Sequence, residues 1–322
     1  MKSTPESSSL QAQSSALILI VIVRYRIPLE ESDTVRTLAA CFARDESLRS
    51  RVATLIWDNS ETSQSTESLA FPADYHHSPE NAGVAGAYNY AMERAEQGGI
   101  PWLLLLDQDT NLPADFLAAM YAYAARLEPD RQIAAIAPSV FMHQEMVSPK
   151  VMSRWGRATD PPAGAIGAFA KELIIMNSGM LLRVAALRHI GGYSMDFWLD
   201  FSDRYVCHML HQRGYHAWLA GDIRIDHDVS FIAGTTSPAR YAIMMGAIDA
   251  YFTQFKSPLR NAIHLYRLVR EALRERTRNP ERARVLWEVL RFRLTTSRKR
   301  RLAAWRKSAA AQRETSGKYS SS

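Results

Sequence analysis

The chain is poor in cysteine. Cys41 and Cys207 are the only two in 322 residues, so a disulfide framework is excluded, and the usage fits a reducing cytoplasm. No Cys/His group has zinc-ligand spacing. Long apolar runs are scarce too. The longest clean one near the start, Ala16 to Val23, falls short of the ~20 residues that span a bilayer. Arg24 and Arg26 follow it directly, with no cleavage-like site, so it reads as a core strand and not a signal peptide. No Gly-x-Gly-x-x-Gly follows that strand. Asn81-Ala-Gly-Val-Ala-Gly offers only two glycines, which argues against an NAD-dependent Rossmann enzyme. No internal repeat is visible.

What remains is ordinary globular composition, 47% hydrophobic and 22% charged, enough for one large domain or two modest ones. The charge is uneven. Between Lys256 and Lys307 stand 17 Lys/Arg and 4 Asp/Glu, so a whole-chain charge of +6 hides an acidic body and a basic end. A basic end implies an anionic surface as partner: membrane headgroups, a polyanionic acceptor or nucleic acid.

The centre of the pattern is residues 102–110, Trp-Leu-Leu-Leu-Leu-Asp-Gln-Asp-Thr. A short apolar run without helical period suits a strand buried on both faces of a parallel sheet. Asp107 and Asp109 then lie at its carboxyl end, where open α/β sheets bind ligands. Spaced i, i+2, the two can share one hard divalent cation that grips a diphosphate. The bland reading makes them helix caps. The following helix, about Pro113 to Leu127, already has Thr110 or Asn111 as its cap.

Other strands are expected at 16–23, 52–57 and 133–141, and helices at 34–42, 81–95, 185–190 and up to Gln212. The alternation predicts a mostly parallel α/β sheet. Residues 143–171, broken by Pro149, Pro161 and Pro162, read as an irregular excursion over the site. His216 to Leu219 is a further strand, leading to His227. Beyond about 233 the chain turns helical. There Leu259, Ile263, Tyr266, Val269 and Leu273 predict one apolar face with arginines among them. The organisation expected is a disordered tail over 1–15, a catalytic domain over 16–232, a basic helical region over 233–310 and a disordered tail over 311–322.

Asp58-Asn59 at a strand end, Asn81-x-Gly83, Asn89, then Asp107-x-Asp109 form an ordered series. With it the chain resembles the family 2 inverting glycosyltransferases of GT-A fold. Asn177-Ser178-Gly179 and Gly191-Gly192-Tyr193 resemble its bacterial rhamnosyltransferase branch. The resemblance covers about residues 16–232. It implies a metal-dependent, single-displacement transfer from a nucleoside diphosphate sugar, dTDP-rhamnose or a UDP-sugar, with Mg2+ or Mn2+. The acceptor it implies is a glycan or a polyprenyl-linked chain, in cell-surface polysaccharide synthesis such as O-antigen. A galactofuranosyl- or other hexosyltransferase is the alternative within the fold. A nucleic-acid binder using the basic end is the alternative outside it, and no nucleic-acid-binding motif supports it. The expected location is cytoplasmic, with peripheral contact on the inner membrane face through the basic helices.

Carried over by residue, the resemblance implies a donor site of Tyr25, Asp58, Asn81, Gly83, Asn89 and Asp107. Asp58 would accept from the pyrimidine base and Gly83 would let the backbone approach the nucleotide, while Asn89 would pack or support the ribose side. Asp109, with Asp107 and a late histidine, His227, would hold the metal. The base implied is Asp203, with Asp200 as the second candidate, which also reads as a helix cap. Trp198 beside them reads either as a ring that meets the acceptor sugar or as a buried core aromatic. Ser202 and Tyr205 stand where acids are frequent in the family. Arg24 stands where a small hydroxyl residue is more usual, which leaves it open to contact the diphosphate or to alter base recognition.

Overall fold

The computed structural model describes residues 16–153, 157–227 and 237–318. The first half runs β1 (Ile18–Arg24), α1 (Asp33–Arg44), β2 (Val52–Asp58), β3 (Asp74–His77), α2 (Gly83–Gln97), β4 (Trp102–Asp107), β5 (Thr110–Asn111), α3 (Phe116–Leu127) and β6 (Ile133–Met142). Next come β7 (Glu145–Ser148), β8 (Lys150–Met152), β9 (Ala158–Thr159), β10 (Ile166–Phe169), β11 (Leu173–Ile174), β12 (Leu181–Arg183), α4 (Val184–His189), α5 (Ser202–Gln212) and β13 (His216–His227). Four helices end the described chain: α6 (Pro238–Phe255), α7 (Pro258–Arg278), α8 (Pro280–Thr295) and α9 (Arg298–Lys318).

The main sheet has the order β10-β13-β6-β12-β4-β1-β2-β3. β1 is parallel to β2 and β4, and β6 is parallel to β13. β12 is antiparallel to both β4 and β6, which makes the sheet mixed. The apolar runs resolve into two faces. Ile18, Ile20, Ile22, Trp102, Leu104 and Leu106 pack toward α1 and α3. Leu19, Val21, Val23, Leu103 and Leu105 pack toward α2, α4 and α5. A strand buried on both sides needs no polar alternation, so it reads as a continuous run. Each such side chain contributes about 2 kcal/mol by leaving water.

The last helices begin on a repeated device. Ser237, Ser257 and Asn279 each accept a hydrogen bond from the backbone N–H three residues on, and Pro238, Pro258 and Pro280 occupy the first turn. The side chain satisfies one open amide, and the proline removes another while fixing φ.

Several expectations change. Thr110 and Asn111 do not cap α3: they form a two-residue strand against Asp226 and His227, and Asp115 precedes the helix without a side-chain cap. Residues 143–171 are not structureless over the site. Their described part carries β7 to β10, of which β8 and β9 join β11 in a small separate sheet, and none of it lines the central cleft. β3, an edge strand of Asp-Tyr-His-His, has no apolar signal because it is only half-buried. α9 runs on past Lys307 to Lys318 where a disordered tail over 311–322 is expected. On α7 the buried residues are His264, Leu268, Ala272 and Glu275, while Leu259, Tyr266 and Leu273 of the expected face are exposed. His264 stacks on Phe252 at 4.1 Å, so an aromatic contact fixes which side packs. The tail over 1–15 and the 232/233 boundary fall outside the described residues.

Two charges, one buried and one half-buried, tie the layers together. Arg183, 2% exposed, donates to the carbonyls of Ile133 (2.8 Å), Leu127 (2.8 Å) and Asp130 (3.1 Å) and pairs with Glu128. Glu172 accepts from Lys256 at 2.8 Å and contacts His208 at 2.9 Å, linking the sheet layer to α5 and the end of α6. Burial alone would raise the Glu172 carboxyl, but hydrogen bonds from His208 and Lys256 and the Lys256 charge hold it well below the usual carboxylate range.

Arg183→Met should therefore lower unfolding stability by about 3 kcal/mol in urea titrations, since several buried carbonyls lose their donor. The Glu172 linkage stabilises above the unfolded-state carboxylate pKa of about 4.3 and is lost as pH falls below it. Glu172→Gln should flatten acid unfolding in that window. An unchanged acid limb would show that the cluster stores no stability.

Candidate active site

β1, β2 and β4 end level with one another. Arg24 pairs in register with Asp58, and Val23 with Asp107. The turn after β4 is clamped from two sides. The Ser32 hydroxyl and the Thr34 N–H donate to the Gln108 carbonyl at 2.7 and 3.3 Å, and the Thr110 N–H donates to Thr34 Oγ1 at 2.9 Å. From the other side Ser178 Oγ accepts from the Asp107 N–H at 3.1 Å. The start of α1 and the Asn177-Ser178-Gly179 turn thus hold both aspartates. Gly179, at φ +86°, fits because an added Cβ would meet Ile225 at 2.4 Å.

The β5–β13 pairing sets His227 beside Thr110 and so beside the aspartates. His227 Nε2 lies 3.9 Å from Asp107 Oδ2, and Nδ1 lies 3.6 Å from Asp109 Oδ1. One donor atom from each of the three falls within 4.8 Å of the others, the one such group among the described residues. Two carboxylates and an imidazole suit a divalent cation with mainly oxygen ligands. Burial, then the charge of Asp109 set against that of His227, pushes the Asp107 carboxyl up to about 6.

The cleft over these groups encloses about 730 Å³. Tyr25, Asn81, Asp107, Asp109 and His227 line one part, and Trp198, Asp200, Asp203, Arg240, Ile243 and Gln312 line another. α6 and α9 therefore form part of its wall. The two candidate bases differ. Asp200 is engaged by both terminal nitrogens of Arg240, so it is neither the α5 cap nor a free carboxylate, and Phe201 precedes that helix. Asp203 accepts from the Arg204 N–H at 2.6 Å and has no ion pair among the described residues. Burial raises its carboxyl above the ordinary range.

Two other expected site residues, Asp58 and Asn89, do not line the cleft, and Gly83 does. Asp58 is fully buried and does not line the cleft. Its oxygens accept from Arg24, Tyr75 and, at 2.8 Å, the Ser60 N–H. Arg24, 1% exposed, also holds the Ile27 carbonyl, so it fastens the loop carrying Tyr25. Gly83, at φ +69°, lines the cleft against Trp198, where an added Cβ would meet the indole at 2.4 Å. Asn89 packs, exchanging hydrogen bonds with the Tyr193 backbone at 2.7 and 2.9 Å. Trp198 is 5% exposed and donates to Gln312 at 3.2 Å.

Sequence reasoning missed Gln108, which accepts from the Tyr25 N–H at 2.8 Å, and Arg240, which neutralises Asp200. Gln108 stands between the two aspartates and could have been noticed. Arg240 is one arginine among many and carried no signal.

Residues 29–191 match the sequence profile described as "Glycosyl transferase family 2". No curated protein matches significantly in sequence. Among solved structures, the S. aureus TarS 1-349 complex with UDP-GlcNAc is 13% identical at TM-score 0.50, covering 94% of this chain and 90% of that one. TarS 1-349 alone gives 13% identity and TM-score 0.50, over 77% of this chain and 68% of that one. GalNAc-T7 with UDP, GalNAc and Mn2+ gives 11% identity and TM-score 0.53, over 75% and 49% respectively. Identities this low speak for the fold only, and the fold they share is the GT-A arrangement of β1 to β13. With the profile matching half of the chain, on the segment that builds the clamped aspartate turn, the chain belongs to glycosyl transferase family 2.

Proposed function

We propose that the chain is a metal-dependent inverting glycosyltransferase that moves a rhamnose-like sugar from a nucleoside diphosphate onto a lipid-linked or polysaccharide acceptor. The observation that carries this is the convergence of Asp107, Asp109 and His227 in a cleft also lined by Asp203. The neighbours were solved with UDP-GlcNAc and with UDP and Mn2+, which supports a nucleotide sugar and a divalent cation here as well.

In this reading Asp109, Asp107 and His227 would hold a divalent cation, which would supply positive charge for the diphosphate leaving group. Tyr25 and Asn81 flank the nucleotide. Asp58 is a positioning residue: it acts through Arg24 on the Tyr25 loop. Asp203 takes the proton from the acceptor hydroxyl as that oxygen bonds to the anomeric carbon, and the bond from that carbon to the diphosphate oxygen breaks. Its burial, which outweighs the opposing charge of Arg204, and the absence of a salt bridge like that between Asp200 and Arg240 make it the better base than Asp200. Asp200 with Arg240 shapes the acceptor side, together with Trp198.

The rhamnosyl assignment rests on two motifs that meet: the Tyr193 hydroxyl donates to Asn177 Oδ1 at 2.8 Å, and Asn177 Nδ2 donates to Ser202 at the start of α5 at 3.0 Å. They brace the turn that presents Asp203. A hexosyl donor on the same scaffold is the competing reading, and a screen of dTDP-rhamnose against UDP-sugars by thermal shift, with and without Mn2+, separates the two.

Asp203→Asn should cut transfer by roughly 10³-fold while the nucleotide still binds. Asp109→Ala should lose both transfer and metal-dependent binding. Wild-type rates in Asp203→Asn would remove that residue from the mechanism. A wild-type protein indifferent to every nucleotide sugar would refute the proposal.

A further inference from the structure

Exposed large apolar side chains concentrate on one part of the molecule. Among the described residues, six of the eight stand on α7 and α8: Leu259, Tyr266, Leu273, Trp287, Phe292 and Leu294. Soluble surfaces rarely gather so many without a partner. The two helices pack on each other and on α6 through Leu268, Ala272, Leu286 and Leu290. Leu259, Tyr266 and Leu273, at seven-residue spacing, fall on one line of α7, turned away from its buried residues.

The same triplet occurs on both helices. Tyr266, Arg270 and Leu273 stand at i, i+4 and i+7 on α7, and Trp287, Arg291 and Leu294 repeat that spacing on α8. All six are exposed, Tyr266 at 66% and Leu294 at 71%. Neither Arg270 nor Arg291 forms an ion pair among the described residues. A hollow of about 470 Å³ at the hairpin end is lined by Arg276, Arg284, Trp287, Glu288 and Arg291, with Arg284 near Glu288 at 3.4 Å.

We propose that the α7–α8 hairpin docks the protein on an anionic lipid surface, with the two aromatic–arginine–leucine triplets as its contact. Each triplet offers an aromatic ring for the headgroup level, an aliphatic side chain for the acyl boundary and a guanidinium for lipid phosphate. Charge selects among occupants. A second copy of this face would bring 17 cations against 17, with only 4 acids on each side over 256–307. A nucleic acid would satisfy the arginines and leave Leu273 and Leu294 in water. No described helix is long and apolar enough to cross a membrane, so the contact is peripheral. The assignment does not depend on the donor or the sugar transferred.

The test uses the full chain in vesicle co-sedimentation. Phosphatidylcholine vesicles are compared with the same vesicles containing phosphatidylglycerol. Binding should require phosphatidylglycerol. Leu273→Ser with Leu294→Ser should weaken it about tenfold, and Arg270→Glu with Arg291→Glu should weaken it as much and remove its salt dependence. These positions are exposed, so circular dichroism and the cleft's nucleotide binding should not change. Equal binding to both vesicle types, variants that bind like wild type, stronger retention on a random DNA duplex, or concentration-dependent dimerisation lost in the leucine variant would each overturn the proposal.

Discussion

Like charges held together shape the site. Asp107 and Asp109 would separate if free, and burial makes the ionisation of Asp107 dearer still. They are kept at the sheet edge by contacts to the backbone of their turn, from Ser32 and Thr34 at the start of α1 and Ser178 in the turn before β12, while β13 delivers His227 to the carboxylates themselves. A group of this kind is most stable when a cation joins it, so the frame is preorganised for an ion and its anionic ligand. The sheet order serves the same end. β5, a strand of two residues, pairs with the far end of β13 and so brings residue 227 to residue 107.

Much of the frame was legible in the order of residues. β1, β2, β4 and β6 are apolar runs with acids or turns at their ends, and burial on both faces leaves few other ways to read them. The Asp107–Asp109 pair stands out at a strand end where the next helix has other candidate caps, whereas His227 is reached only through the late histidine that the family resemblance implies. Elements that take their structure from neighbours were not legible. β3 is polar and half-buried, β5 is too short to have a period, and α9 is a polar helix held through Trp305 and Arg313, which donate to the carbonyls of Asp196 and Met195. The apolar stripe of α7 was visible, but its direction was not. Periodicity shows that a helix has a face and says nothing of what covers it.

Arg24 and Asp58 teach a related lesson. A carboxylate at the end of β2 is an attractive partner for a base, yet the residue facing it in the register of β1 is an arginine, which lines the cleft and pairs with Asp58 behind it. A single strand shows an acid, and only the strand pairing shows that it is already taken. The same holds on the opposite wall, where Arg240 from α6 occupies Asp200 and leaves Asp203 as the anionic group there without a salt bridge. The helical region thus completes the cleft on its inner side and presents cations and apolar side chains on its outer side.

The central claim is that Asp107, Asp109 and His227 hold a cation against a diphosphate. Phosphorus-31 relaxation of UDP with trace Mn2+, with and without protein, tests it without any need to know the acceptor. The account predicts that wild-type protein sharply increases relaxation of the diphosphate phosphorus nuclei beyond that of free Mn–UDP, and that Asp109→Ala and His227→Ala abolish the increase. An equal increase in those variants, or none in the wild type, would contradict it.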